Sequence, residues 1–320
     1  MPLPVVEERA LRAAITPDVA VDAIRAAFRA DGEGRTIVPP VINLEVPSPR
    51  GEFHIKTAYV EGSPYIAVKV ASGFYDNVAK GLPSGSGMMA VFDAATGLPA
   101  ALLLDNGFLT DIRTGAAGAI AADVLAPASI SVVGVIGSGV QARHQIDCLR
   151  VVRSFDRIVA WSPTRAHLDT YCDEMRGRGY DIVATSDVAA VCRDADVVIT
   201  TTPSRRALVE AEWLRPGQHV TAVGSDSPGK QELAPACLER ADVVAVDRLR
   251  QCAAFGELKH AIDAGLLTLN DALELGRLVA GLVPGRTNPT QITVADLTGV
   301  GFQDTAIASR AIDATLQAGC

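Results

Sequence analysis

Residues 131–149 read SVVGVIGSGVQARHQIDCL: an apolar run, a turn of the form Gly137-x-Gly139-x-x-Ala142, and then a segment with helical periodicity. A buried strand feeding a helix through such a turn is the dinucleotide fingerprint. The glycines permit a tight turn and close backbone approach, so a pyrophosphate can sit at the helix N-terminus. Glycine-rich strand-to-helix turns also serve plain packing, so the surroundings must decide. Five further apolar runs follow: RIVAWS (157–162), DVVITTTPS (196–204), HVTAVGSD (219–226), DVVAVDR (242–248) and ITVADLTG (292–299), with helical segments between them. Continuous Val/Ile runs joined by helices signal a parallel sheet covered on both faces. The fold class is therefore α/β, a Rossmann-type doubly wound parallel sheet.

The first third reads differently, as a smaller α+β domain. TPDVAVDAIRAAF (16–28) has Thr16 as N-cap, Pro17 at the first helical position, and Val21, Ile24 and Phe28 on one face. FHIKTAYV (53–60) and YIAVKVAS (65–72), separated by Glu-Gly-Ser-Pro, predict a hairpin. The period of two puts Lys69 with Tyr65 and Ala67, opposite Ile66, Val68 and Val70. Two more strands flank the turn at 94–97, and LTDIRTGAAGAIAADVLA (109–126) predicts an alanine-rich helix ending before Pro127. The last helix, near QDTAIASRAIDATLQ, lies beyond the parallel sheet and is expected to return to the first domain. The expected domains are 1–125, completed by a C-terminal helix at about 303–320, and 126–302.

Composition narrows the function classes. The 320 residues are 48% hydrophobic and 21% charged with a formal net charge of -8, the profile of a globular chain with a sizeable core. No basic run offers a footprint for a nucleic-acid backbone, and no apolar run approaches the ~18 residues that span a bilayer. The N-terminal stretch carries acids where a secretory signal needs a basic segment, so a cytoplasmic location is expected, with neither nucleic acid nor membrane as partner. Cys148, Cys172, Cys192, Cys237, Cys252 and Cys320 are read as free thiols, and the five histidines lack metal-ligand spacing, so no metal is expected.

The fingerprint makes Gly137, Ser138, Gly139, Val140 and Gln141 the expected pyrophosphate cradle. An NAD site usually places an acid ~20 residues on, for the ribose 2′-hydroxyl. Here that position holds Ser162, Thr164 and Arg165, a set better suited to a 2′-phosphate, so NADP(H) is preferred with NAD(H) possible; the plain alternative is that Arg165 is a solvated helix residue. Thr201, Thr202 and Pro203 form a loop able to lie along the nicotinamide ribose. VTAVGSDSPGKQEL (220–233) places Ser225, Asp226 and Lys230 at the carboxyl end of a sheet strand, where such folds bind ligands, and Asp226 is expected to face the nicotinamide. Asp-Ser-Pro-Gly is equally a good turn sequence.

Taken together, LTDIRTGAAGAIAADVLA, IGSGVQARHQ (136–145) and VGSDSPGKQEL (223–233) resemble the ornithine cyclodeaminase/μ-crystallin family, from about Lys56 to Asp304. The resemblance implies a homodimer of two-domain subunits that interconvert an L-amino acid and its imine by hydride transfer at the α-carbon. It further implies Lys69 as the lysine holding the substrate carboxylate, Arg113 at substrate and cofactor with Thr114 beside it, and Asp226 as acid/base. Ser84 stands where the family usually has a threonine near the nicotinamide, and Thr298 with Gly299 resembles the family's strand end that closes the cofactor pocket. Family members commonly carry a carboxylate-gripping arginine just before the lysine strand; VPPVINLEV (38–46) offers Ile42 and Asn43 instead. Lys56, His54 and Arg50 are its candidate substitutes, and Lys56, Lys69 and Arg113 make up the expected substrate-binding set. Net reduction of a ketimine or oxidation of a small amino acid is the favoured reading. Deaminating cyclisation of a diamino acid such as ornithine with NAD, or μ-crystallin-like binding of NADP(H) and a small ligand, are the alternatives.

Overall fold

The computed structural model describes residues 2–48 and 50–317, without the side chains of Tyr75, Val78 and Gln317. Cys320 and the last three positions of the expected C-terminal helix lie outside the described residues. The chain divides into two compact units, the residues up to Arg113 with those from Val300 onward, and Thr114–Gly299. Among the described residues no helix is long and apolar enough to cross a membrane.

The first unit is built on strands β1 (Val5–Glu7), β2 (Thr36–Ile37), β3 (Ile42–Val46), β4 (Gly51–Val60), β5 (Tyr65–Phe74), β6 (Gly85–Asp93) and β7 (Pro99–Leu104). Their order is β1-β7-β6-β5-β4-β2, with β3 also pairing with β4. The expected hairpin joins β4 to β5, and Gly62 (φ 82°) supplies its left-handed turn. Its register sets Lys56 directly opposite Lys69, and Lys69 in turn opposite Met89 of β6. Helix Pro17–Gly32 and the C-terminal helix Gly301–Ile312 cover one face of this sheet. Val21, Ile24 and Phe28 are all buried, as their spacing predicts, but the Thr16 hydroxyl bonds Asp18 rather than capping the backbone.

The helices cover the face carrying Ala58, Ala67, Lys69, Met89 and Val91, whereas Ile66, Val68 and Val70 on the other side stay half-buried. Small side chains decide this. A Cβ on Gly301 would lie 2.2 Å from the carbonyl oxygen of Thr57, so the last helix starts hard against β4 and roofs the lysine face.

The second unit holds β8 (Val132–Ile136), β9 (Arg157–Trp161), β10 (Ile182–Ala184), β11 (Val197–Thr200), β12 (Arg205–Val209), β13 (His219–Ala222), β14 (Gln231–Leu233), β15 (Val243–Val246), β16 (Ala272–Glu274) and β17 (Thr293–Asp296). Its large sheet is parallel, in the order β10-β9-β8-β11-β13-β17-β15-β16, and β12 pairs with β14 alone. Apolar clusters cover both faces, Val198 packing on one side and its neighbours Val197 and Ile199 on the other, so the sheet is doubly wound. Each of the six apolar runs contains one of its strands; β10, β12, β14 and β16, of three to five residues, gave no such signal.

The domain boundaries fall earlier than expected, after Arg113 rather than after residue 125, and after Gly299 rather than after 302. The first lies inside helix Phe108–Leu125. Beyond Arg113 that helix packs on helix Val140–Val152: a Cβ on Gly115 would stand 2.5 Å from the carbonyl oxygen of His144, and one on Gly118 1.9 Å from Oε1 of Gln145. Gln145 also donates to the Thr114 carbonyl, and Arg153 pairs with Asp123. The glycines of the Arg-Thr-Gly-Ala-Ala-Gly motif are thus contact glycines.

Candidate active site

At the switch point of the second unit's sheet, where strand order turns around between β8 and β11, Gly137 adopts φ 120°. A Cβ there would lie 2.4 Å from Oγ1 of Thr201, so only glycine fits. Gly139 precedes the 13-residue helix Val140–Val152, and a Cβ on it would meet nothing within 4 Å. The helix therefore opens with accessible backbone N–H groups, the arrangement that holds a pyrophosphate, and the residues present fit a dinucleotide. Ser138 donates to the Ser162 hydroxyl at 2.9 Å, tying the turn to the end of β9. Arg143, not singled out by its sequence context, bonds the carbonyls of Ser138 and Gly139, each at 2.9 Å, and braces the turn from below.

After β9, Thr164 is the N-cap of helix Arg165–Gly177, without a side-chain cap bond. Arg165 is 72% exposed and pairs with Asp169 at 2.9 Å. Such an exposed pair is screened by solvent and adds little to stability.

The threonine loop is organised by a residue the sequence did not reveal. Glu232 accepts from the Thr200 hydroxyl (2.6 Å), the Thr202 hydroxyl (2.8 Å), the Thr202 N–H (2.5 Å) and the Gly224 N–H (2.8 Å). Burial raises its pKa while these donors oppose the rise. Glu232 thus clamps the ends of β11 and β13, with Thr201 between the two clamped threonines and Pro203 just after them. Similarly, Asp247 accepts from the Thr298 hydroxyl (2.9 Å) and the Gly299 N–H (2.5 Å), fixing the end of β17.

The turn falls one residue later than Asp-Ser-Pro-Gly predicts, over 227–230: the Lys230 N–H bonds the Ser227 carbonyl at 3.2 Å and Gly229 takes φ 78°. Ser225 is buried, its hydroxyl directed to the carbonyls of Lys230 and Phe255, so it ties the loop from inside. Asp226 accepts from Lys230 Nζ (2.7 Å) and the Ser227 hydroxyl (3.1 Å), yet its side chain remains 45% exposed. A carboxylate held in place but not covered is available for proton transfer.

In the first unit, Lys69 is 2% exposed, with Nζ 3.3 Å from Oδ2 of Asp304. Nε of Arg113 lies 3.0 Å from Oδ1 of the same carboxylate, and its Nη1 donates to Oε1 of Gln303 at 2.9 Å. Lys56 is buried on the neighbouring strand. Burial pushes the Lys69 amine down to about 7; Asp304 opposes this, while Arg113 and Lys56 add to it. Asp105, buried at the start of helix Phe108–Leu125, accepts from the Leu109 N–H at 2.8 Å, and burial raises its pKa. Of the three candidate substitutes for the missing arginine, Arg50 pairs with Asp76 at the surface, and His54 contacts Asn43 (2.7 Å) and Glu52 (3.5 Å). Lys56 is the one of the three whose charge acts on Lys69. Ser84 is exposed, and its carbonyl accepts from the Phe74 N–H.

Asp304 and Gln303 escaped the sequence reading. Their signal was present: Asp304 shares a helical stripe with Ile307, Ala308 and Ala311, and an acid on a buried stripe needs a cation. Several cations are thus gathered about one carboxylate on a helix-roofed sheet, a set whose N–H donors match the geometry of a further carboxylate.

A dinucleotide turn in one unit and a buried cluster of cations in the other are features of a nicotinamide-dependent enzyme. The chain belongs to the ornithine cyclodeaminase/mu-crystallin family, whose model matches residues 6–318. It is 44% identical to an uncharacterised cyclodeaminase of Sinorhizobium fredii, over 96% of this chain and 94% of that one. An archaeal alanine dehydrogenase dimer with bound NAD superposes with a TM-score of 0.92 at 33% identity, covering 100% of this chain and 98% of the other. The Δ1-pyrroline-2-carboxylate reductase of Thermococcus litoralis, solved with NADH and L-proline, gives 0.95 at 27% identity, covering 99% and 98%.

Proposed function

We propose that this protein is an NAD(P)(H)-dependent oxidoreductase that interconverts a small L-amino acid and its imine, working as a ketimine reductase or amino-acid dehydrogenase. The observation that carries this is the cluster of Lys69, Arg113 and Lys56 about Asp304, a buried cationic site in a fold whose other unit carries a dinucleotide turn. The cations take the substrate carboxylate and so fix the α-carbon, which is chiefly a positioning effect. A bound nicotinamide supplies or accepts the hydride at that carbon. Asp226 gives a proton to the nitrogen in reduction and takes one in oxidation, a role suited to its exposed carboxylate.

Gly137, Ser138, Gly139, Val140 and Gln141 hold the pyrophosphate; Thr201, Thr202 and Pro203 line the ribose. Ser84, Thr114, Ser225, Lys230, Thr298 and Gly299 complete the cofactor site, several of them through the ties described above. NADP(H) is preferred over NAD(H), on the strength of Ser162, Thr164 and Arg165 and of no acid at the end of β9. The protein works as a homodimer joined through the outer face of the first unit's sheet, where Ile42 and Leu44 are exposed and Ile66, Val68 and Val70 half-buried.

The test is to follow absorbance of NADPH and NADH with pyruvate plus methylamine and with cyclic ketimines, and ammonia release from ornithine with NAD. Consumption of reduced cofactor, faster with NADPH, supports the proposal. Ammonia release without net cofactor change makes the protein a cyclodeaminase, and tight cofactor binding without any turnover makes it a binding protein.

A further inference from the structure

We infer that Gln303 is a ligand of the substrate carboxylate, its side-chain amide nitrogen donating to one carboxylate oxygen beside Arg113. This rests on the imine oxidoreductase reading above and adds a residue to it. Gln303 is fully buried at the start of the C-terminal helix. Its Oε1 faces two donors, Nη1 of Arg113 at 2.9 Å and the N–H of Val300 at 3.4 Å. Two donors require the oxygen on that side, which fixes the amide's orientation and turns Nε2 the other way.

There Nε2 is buried without an acceptor among the described residues. A buried N–H left unmatched is costly to keep in a folded chain, and such groups need a reason. Asp304, the next residue, directs its two oxygens to Arg113 and Lys69. The side chains already gathered here, Lys69, Arg113 and Lys56, call for an anion, and Nε2 calls for an acceptor. A carboxylate answers both, with one oxygen toward the cations and the other toward the amide.

The experiment measures calorimetric binding of pyrrole-2-carboxylate, a planar analogue that cannot be reduced, and of pyrrole-2-carboxamide. The full-length protein is used with NADPH present, as wild type, Gln303→Met and Gln303→Glu. Turnover with pyruvate, methylamine and NADPH is measured in parallel. Gln303→Met is expected to weaken carboxylate binding by about 10- to 100-fold, the loss of a charge-assisted hydrogen bond, while sparing the carboxamide. The kinetic loss should fall on KM more than on kcat. Gln303→Glu keeps an acceptor for Arg113 but replaces the donor by an anion, and it should lose more.

Wild-type affinity for the carboxylate in Gln303→Glu would overturn the inference, because the side chain would then only brace Arg113. The inference falls equally if both variants match wild type. Should Gln303→Met fail to fold, Gln303→Glu decides alone. A wild-type protein that neither binds the carboxylate nor consumes NADPH or NADH would instead overturn the imine reading itself.

Discussion

The two units bury charge for opposite ends. In Thr114–Gly299 the buried charges are carboxylates: Glu232 accepts from Thr202 and Gly224, Glu257 from the N–H groups of Glu232 and Leu233, Asp247 from Gly299, and Asp296 from Leu258. Each is matched by backbone N–H donors at loop ends. In the first unit three buried acids, Asp31, Asp105 and Asp304, stand beside three buried cations, Lys56, Lys69 and Arg113, and Lys69 feels the two other cations against the carboxylate of Asp304. Buried acids that answer backbone donors are fasteners, whereas the buried cations gathered around Asp304 are, on the proposed function, half of a binding site. Burial alone does not tell these apart; the partners do.

The contrast breaks most readily at Lys69. Lys69→Met should lower kcat/KM by on the order of 10³-fold, while the melting temperature near pH 7 holds or rises, because the change removes a desolvated amine and leaves Arg113 on Asp304. A variant that melted early yet kept its turnover would make Lys69 a fastener too.

Asp226 is the acid of the second unit that sharpens the comparison, since it is partly exposed and is held by the side chains of Lys230 and Ser227. Asp226→Asn should cut turnover by about 10²- to 10⁴-fold with NADH binding unchanged by fluorescence titration. Equal activity would remove it from the proton-transfer role.

Glu232→Gln reverses the pattern. It keeps the shape but turns an acceptor of four bonds partly into a donor, and should cost about 1–3 kcal/mol of stability in denaturant unfolding. Dinucleotide binding should weaken only as far as the threonine loop loosens.

The smallest effect is one of pH. Lys69, facing Asp304, Arg113, Lys56 and, more distantly, Asp105, sits near 7 against an ordinary 10.5. Carboxylate binding needs its cationic form, so kcat/KM should fall about tenfold per pH unit above 7, while kcat, measured with the carboxylate in place, holds to higher pH. For stability the sign is opposite. The unfolded chain binds more protons between about 7 and 10.5, so Lys69 makes the fold more stable as pH rises through that window. A kcat/KM profile flat from 7 to 9 would show that another group carries the carboxylate.

The fold was largely legible. Apolar runs without alternation mark a sheet covered on both faces, and each such run contains a strand. The short strands β10, β12, β14 and β16 carry too few residues for a pattern to stand out. The dinucleotide turn was legible because its glycines answer a steric need, as Gly137 against Thr201 shows. The cationic cluster was legible only in part. Lys69 and Arg113 came from the family resemblance, but Asp304 and Gln303 lie some 190 residues further along the chain from Arg113, and only folding brings them together. Glu232 was hidden for the same reason. A clamp made of scattered hydroxyls and N–H groups leaves no local spacing to read.

The most direct test is reduced-cofactor consumption with pyruvate and methylamine, and with a cyclic ketimine, by wild type and Lys69→Met side by side, each checked for folding by thermal unfolding. The account predicts turnover in the wild type and its loss in a folded Lys69→Met protein. Undiminished turnover in that variant would contradict it.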